Sequence, residues 1–359
     1  MAATGAARIA DAPRAVSDVV REDLRPQVGA IDAGAYPAGV LRALGAAGAY
    51  DRHVEGGPEG LLGAVDAMAE AGEACLSTAF CMWCQDALVW YLARSGEADA
   101  RRHLAAAAAG DSLGGTGLSN PMKALSGIEP LALQGVREGA GYRVRGRLPW
   151  VSNLGPRHRF AGIFSLPEGK RVMGLFEAGG EGVSIAANAR FVALEGTGTY
   201  SVMIRDAYLP DAEVIAHDAG AFEPRIRNGF VLLQTGMGLG LARGAAALMR
   251  ADAAGRAKAQ FLPLGPEAIE ARASALREQV AAAARTHEAT GRAAFLETLR
   301  LRLDVSFLAL EAAQSAMLQF GARGYLEGAD AFRRLREAQF VAIVTPSVKH
   351  ITTELARGA

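Results

Sequence analysis

The order of the hydrophobic patterns constrains this chain more than any other feature. From residue 1 to about 112, apolar side chains recur at helical spacing. Across residues 113–218 they alternate with a period of two between glycines, and from 219 to 359 the helical spacing returns. Chains that build a Rossmann sheet alternate strand and helix throughout, so segregated blocks exclude that fold and predict an α+β protein. The expected units are an N-terminal helical domain (1–112), a middle β-barrel or sandwich domain (113–218) and a C-terminal four-helix bundle (219–359).

Within the first block, Leu61, Val65, Met68 and Ala69 follow helical spacing, and Leu76 to Leu92 is apolar nearly all round, which marks a buried helix. In the second block, Gly141–Gly146, Phe160–Phe164, Val172–Phe176 and Thr199–Ile204 read as strands. In the third, helical patterns cover 229–257, 266–291, 293–320 and 329–342, lengths that pack as an antiparallel bundle.

Charge and composition narrow the function classes. Lys+Arg and Asp+Glu both number 38, a balance that argues against nucleic-acid or anionic-membrane partners. The sequence shows no apolar run of membrane-spanning length and no secretory leader at MAATGAARIADAPRAV. Three cysteines, Cys75, Cys81 and Cys84, cannot all pair internally, which fits a reducing cytoplasm.

Two motifs invite a sharper interpretation and do not sustain it. Gly236-Met237-Gly238-Leu239-Gly240 has the spacing of a dinucleotide fingerprint but no βαβ context, so its glycines read as close-packing positions on a helix. Cys81-Met82-Trp83-Cys84 lies inside an apolar helix with no second ligand pair, so it reads as core rather than as a redox or zinc motif. The six histidines show no H-x-x-x-H or H-x-H spacing, and no G-x-S-x-G is present.

Four segments, in order, resemble the acyl-CoA dehydrogenase superfamily. Leu113 to Pro121 resembles the family segment ending Leu-Thr-Glu-Pro. Gly141-Tyr142 through Trp150-Val151-Ser152-Asn153 resembles Gly-Tyr…Trp-Ile-Thr-Asn. Glu195-Gly196-Thr197-Gly198-Thr199 through Leu209-Pro210 looks like the strand pair that closes the β-domain. Gly321-Ala322-Arg323-Gly324-Tyr325, then Arg336-Glu337-Ala338, resembles Gly-Gly-x-Gly-Tyr…Arg-Asp-Ala. The resemblance implies FAD held between β-domain and bundle, in a cleft where the stretches around Ser119, Trp150 and Gly321 converge. It implies Ser119 on the isoalloxazine, Trp150 bordering it and Ser152 near N5. It further implies Lys258, Gln319, Gly321 and Ser347 as cofactor contacts, the diphosphate contacts coming from a neighbouring subunit of a homodimer or homotetramer. A hydroxyl can hydrogen-bond the ring and an aromatic plane can pack on it.

The departures from the family pattern bear on chemistry. The family's catalytic glutamate aligns with Thr345, and an alternative position on an earlier helix falls near Asn228; neither is an acid. Threonine has no accessible ionisation near neutral pH, and loss of such a base removes about 10²–10⁴-fold in rate. The Gly-rich stretch after Pro121 is replaced by Met122-Lys123-Ala124-Leu125, which leaves Ser126 as the substrate-binding candidate. Glu337 and Glu327 are the acids nearby in sequence, and both read as ordinary helix or surface residues. His350 is an acid candidate that reads as a surface side chain. The expected activity is α,β-dehydrogenation of an acyl thioester with hydride transfer to FAD and an electron-transfer flavoprotein as acceptor. The alternatives are a flavin-dependent monooxygenase of the same fold served by a flavin reductase, and a non-catalytic paralogue that binds flavin or acyl-CoA. No metal is expected.

Overall fold

The computed structural model describes residues 14–55, 57–187 and 189–358. Helices occupy the chain up to Ala108, eight strands lie between Gly114 and Ala216, and helices resume at Ala219 and run to Gly358.

The two helical blocks share one hydrophobic core, and its axis is the helix Leu76–Arg94. Every residue from Leu76 to Leu92 is buried, which explains the apolar run that showed no amphipathic stripe. Extended Cys75 separates this helix from the preceding one, Pro58–Ala74. The first amide, Leu76 N, donates to the Glu337 carboxylate at 3.3 Å, so a side chain 261 residues away satisfies one of its free N–H groups.

The Gly236-x-Gly238-x-Gly240 motif sits inside the helix Thr235–Ala251. A Cβ on Gly236 would lie 2.7 Å from the Val65 carbonyl, and one on Gly240 would lie 2.3 Å from that of Ala69. The glycines therefore let this helix rest backbone against backbone on Pro58–Ala74, as the close-packing interpretation predicts.

Two sequence expectations change here. A helix, Ala219–Leu233, precedes the predicted start at 229, and a single residue, Gln234, separates it from Thr235–Ala251. Within Ala219–Ala251 an 18-residue window with a mean hydropathy of 1.2 meets the length and apolarity of a membrane span, contrary to the sequence reading. Of that window 83% is buried inside the protein, so its apolarity serves the core. In addition, Ser119–Leu125 and Val348–Gly358 form helices that periodicity did not reveal.

The middle block is one eight-stranded sheet with the order β6-β7-β3-β2-β4-β5-β8 and β1 set beside β4. Its strands are β1 (Gly114–Thr116), β2 (Leu133–Glu138), β3 (Gly141–Val151), β4 (Arg159–Ser165), β5 (Arg171–Glu177), β6 (Val183–Ala186), β7 (Tyr200–Pro210) and β8 (Val214–Ala216). The sheet coils around a second core that includes Val144, Leu148, Phe160, Phe164, Phe176, Val202, Ile204 and Leu209. Val144 and Leu148 are buried in that core, whereas Arg145 and Arg147 are exposed, the alternation that a half-buried strand requires. The parallel pairing of β1 with β4 is very close: a Cβ on Gly114 would meet the Arg159 carbonyl at 2.1 Å, and one on Gly115 the Ser152 carbonyl at 2.2 Å. Two glycines thus draw the segment leading to Thr116 and Ser119 against the end of β3.

Candidate functional site

A cleft of about 440 Å³ opens between the sheet and the helices. One side is polar. The β1 segment brings Thr116, and the following helix brings Ser119 and Lys123. The end of β3 brings Trp150 and Ser152, and the loop before β7 brings Thr197 and Thr199. The opposite side is aromatic. Phe80 and Trp83 stack with centroids 5.7 Å apart, Phe340 meets Phe80 edge-on at 4.5 Å, and Phe230 meets Trp83 edge-on at 5.0 Å. The turn after the helix Asp330–Ile343 closes one end with Val344, Thr345 and Ser347.

The hydroxyls form connected sets. Ser119 and Thr345 share a hydrogen bond of 2.8 Å across the cleft. Ser152 bonds Thr199 at 2.6 Å, and Thr199 bonds Thr197 at 2.8 Å. Tyr91 reaches Thr116 at 3.0 Å. Burial pushes the Cys84 thiol and the Tyr91 phenol well above their usual ranges, so both stay neutral at neutral pH. Trp150 is half exposed at the rim, 5.5 Å from Phe191 edge-on. A bulky ring left open beside a cleft offers a surface for a ligand to cover.

Of the candidates named from sequence, Ser119, Trp150, Ser152, Thr345 and Ser347 line this cleft. The others lie elsewhere in the chain. The stretch around Gly321 was expected to converge with Ser119 and Trp150, and it does not. Gly321 ends the helix Arg292–Phe320, and Asp330–Ile343 then runs back along that helix to deliver Thr345. Fourteen residues of helix therefore stand between the two, about 21 Å at 1.5 Å per residue. Gln319 donates to the Met249 carbonyl at 2.7 Å, and Lys258 is exposed on the short helix Ala253–Lys258.

Ser126 is tied to the C-terminal helix: its hydroxyl lies 2.8 Å from His350 Nε2, and its carbonyl accepts from Arg357 at 2.9 Å. His350 is 6% exposed, so it is a core side chain and not the surface residue that its place near the terminus suggested. Asn228 is also structural, donating to the carbonyls of His287 and Ala289. Glu337 is a helix residue, buried and paired with Arg333 at 2.8 Å rather than solvated. Among the described residues no group of His, Cys, Asp and Glu is placed to hold a metal ion.

Sequence reasoning missed Thr116, Lys123, Thr197, Thr199 and the four aromatic residues of the wall. The aromatic residues were hidden in runs that read as uniform core. A smaller cavity of about 200 Å³ lies on the other side of the Ser119–Leu125 helix, lined by Leu125, Glu129, Ile163 and Arg171, and holds none of the candidates.

Helical, β and helical blocks in this order, with a cleft between sheet and helices, are the arrangement found in the solved structures that this chain resembles. Residues 11–111 match the model of the acyl-CoA dehydrogenase N-terminal domain. The whole chain is similar in fold to butyryl-CoA dehydrogenase from Megasphaera elsdenii, with TM-score 0.83, 18% identity and coverage of 96% of this chain and 95% of that one. It is similar to dibenzothiophene monooxygenase (TdsC) from Paenibacillus sp. A11-2, with TM-score 0.78, 14% identity and 95% of both chains covered. It is similar also to the FAD complex of PigA, with TM-score 0.79, 16% identity, 96% of this chain and 95% of that one. No curated protein matches. Residues 11–111 thus match the family's N-terminal domain, and the chain as a whole has the acyl-CoA dehydrogenase fold.

Proposed function

We propose that this protein is a flavin-dependent oxidoreductase of the monooxygenase kind, with the isoalloxazine ring of FAD against the polar side of the cleft. The residues present fit such a group. Hydroxyls of Ser119 and Ser152 can bond the polar edge of a planar ring, and the half-exposed Trp150 can cover it. When bound, reduced flavin supplies the electrons that split O₂, leaving one oxygen in the substrate and one in water. The chain's own residues orient the partners and exclude water. Phe80, Trp83, Phe230 and Phe340 give the substrate an apolar bed opposite the ring, and Ser152 is held in place by Thr199.

One observation favours this reading over α,β-dehydrogenation of an acyl thioester. Thr345, which aligns with the family base, has its hydroxyl bonded to Ser119, and among the described residues no Asp or Glu lines the cleft. A dehydrogenase needs a group within hydrogen-bond reach of the substrate α-proton that can take it. Ser126, the expected thioester contact, is bonded to His350 instead. Oxygen transfer from reduced flavin makes no such demand on a carboxylate. Lys258 and Gly321 are exposed away from the cleft, as they would be in a homo-oligomer where they meet a neighbour's cofactor.

Three measurements test this. The purified protein reconstituted with FAD should be yellow. Anaerobic addition of butyryl-CoA should leave the flavin oxidised. NADH-linked O₂ uptake with a separate flavin reductase should depend on the chain and on an added aromatic substrate. Bleaching by butyryl-CoA would overturn the monooxygenase assignment in favour of the dehydrogenase. No spectral response in any assay would leave a non-catalytic binding protein.

A further inference from the structure

We propose that Lys123 is the specificity-determining residue of the cleft and selects a small aromatic substrate bearing a carboxylate. This deepens the oxidoreductase assignment and rests on it for the place of the flavin. Among the described residues, Lys123 is the one Lys, Arg, Asp or Glu that lines the cleft. It lies one turn beyond Ser119 on the same helix, so both side chains share the cleft-facing side. Its ammonium is 3.5 Å from each oxygen of Glu129, a long contact for an ion pair. Glu129 is already engaged at 2.9 Å by the Asn120 amide, and it lines the small cavity on the other side of the helix. The ammonium therefore keeps donor capacity that Glu129 does not fully use, at the edge of an otherwise uncharged cleft.

The rest of the cleft fixes the other half of the substrate. Phe80, Trp83 and Phe340, packed on one another, give the cleft an aromatic lining. A planar ring meets that wall by stacking or edge contact, and an anionic group on the ring satisfies Lys123 in surroundings where a charge-assisted hydrogen bond is strong. A neutral isostere leaves the ammonium without that partner, and selectivity of this kind comes from the polar group left unmatched.

The experiment compares benzoate and phenylacetate with benzamide and phenylacetamide, on the flavin-loaded protein and on the flavin-free chain. Binding is read from quenching of tryptophan emission, since Trp83 and Trp150 both line the cleft, and from the flavin absorbance band where flavin is present. Each acid should bind tighter than its amide by about tenfold to a hundredfold. Lys123→Met should erase that preference while leaving amide affinity and flavin affinity unchanged, and Lys123→Arg should retain it. Equal binding of acid and amide overturns the proposal, as does a preference that survives Lys123→Met or an absence of binding into the low-millimolar range. If Lys123→Met weakens flavin affinity and spares the acid preference, the ammonium serves the cofactor and the proposal also falls. Failure of the unmodified protein to bind flavin would instead sink the oxidoreductase assignment, and the flavin-free titration would still test Lys123.

Discussion

Replacing Arg302 by lysine should destabilise this protein more than replacing it by methionine. The side chain is fully buried, and its guanidinium donates to the Gln234 amide oxygen at 2.9 Å, to the Val341 carbonyl at 2.7 Å and to the Ser306 hydroxyl. All three acceptors are neutral, and Arg302 forms no salt bridge among the described residues. Burial pulls its pKa down only to about 10, so it is charged at neutral pH. Arg302→Met removes the buried charge and retains most of the stem. Ser306 keeps its bond to the backbone carbonyl of residue 302, so two acceptors are orphaned, at about 1–3 kcal/mol each. The desolvation cost that the guanidinium carried, several kcal/mol, is released at the same time. The net loss should stay within about 2 kcal/mol.

Arg302→Lys keeps the charge and loses the fork, since one ammonium nitrogen cannot reach three separated acceptors. A lysine so buried lowers its pKa, and a displacement of three units corresponds to about 4 kcal/mol at neutral pH. The sign follows from proton binding. The unfolded chain holds the proton that the folded chain gives up, so the lysine variant should gain stability relative to the methionine variant between about pH 7 and pH 10, the buried Cys75, Cys81 and Cys84 thiols giving both the same background slope. Urea denaturation at pH 7 and pH 9 reads the difference. A lysine variant at least as stable as the methionine variant at pH 7, or a difference that does not shrink by pH 9, would refute the account. Gln234 also donates to the Thr345 carbonyl at 2.8 Å, so flavin affinity should fall in both variants along with the order of the cleft turn.

Further outcomes follow from the same geometry. Gly240→Ala places a Cβ 2.3 Å from the Ala69 carbonyl, where backbone cannot yield, and should cost about 1–3 kcal/mol by calorimetry; Gly96→Ala meets nothing within 4 Å and should be neutral. Trp150→Ala should weaken flavin binding roughly tenfold in a fluorescence titration with little change in the Tm of the flavin-free chain, because the ring is half exposed. Burial holds the His350 pKa below its usual value, with Lys123 and Arg357 adding to the effect and Glu354 opposing it. The unfolded chain therefore takes up a proton first as the pH falls below about 6.5, and stability is lost there. His350→Gln should flatten that acid slope in urea melts; an unchanged slope would exclude His350 as its source.

The sequence by itself determined the order of the blocks. Periodicity survives translation into structure because one face of each element must be buried, whatever it packs against. The run Leu76–Leu92 showed no polar face because the helix has neighbours all round, and Gly236-x-Gly238-x-Gly240 signalled a close helix contact because only glycine permits one. The resemblance to acyl-CoA dehydrogenases implied that Ser119, Trp150 and Ser152 border one cleft and aligned Thr345 with the family's base, and all four line it. Only the tertiary structure decided that Gly321 does not line that cleft, because the sequence distance to Thr345 does not reveal how the intervening helix is placed. It also decided that Ser126 belongs to His350 and that Lys123 is the charge at the cleft's edge. Those assignments depend on which side chains face one another across more than 200 residues of chain, and a local pattern holds no record of that.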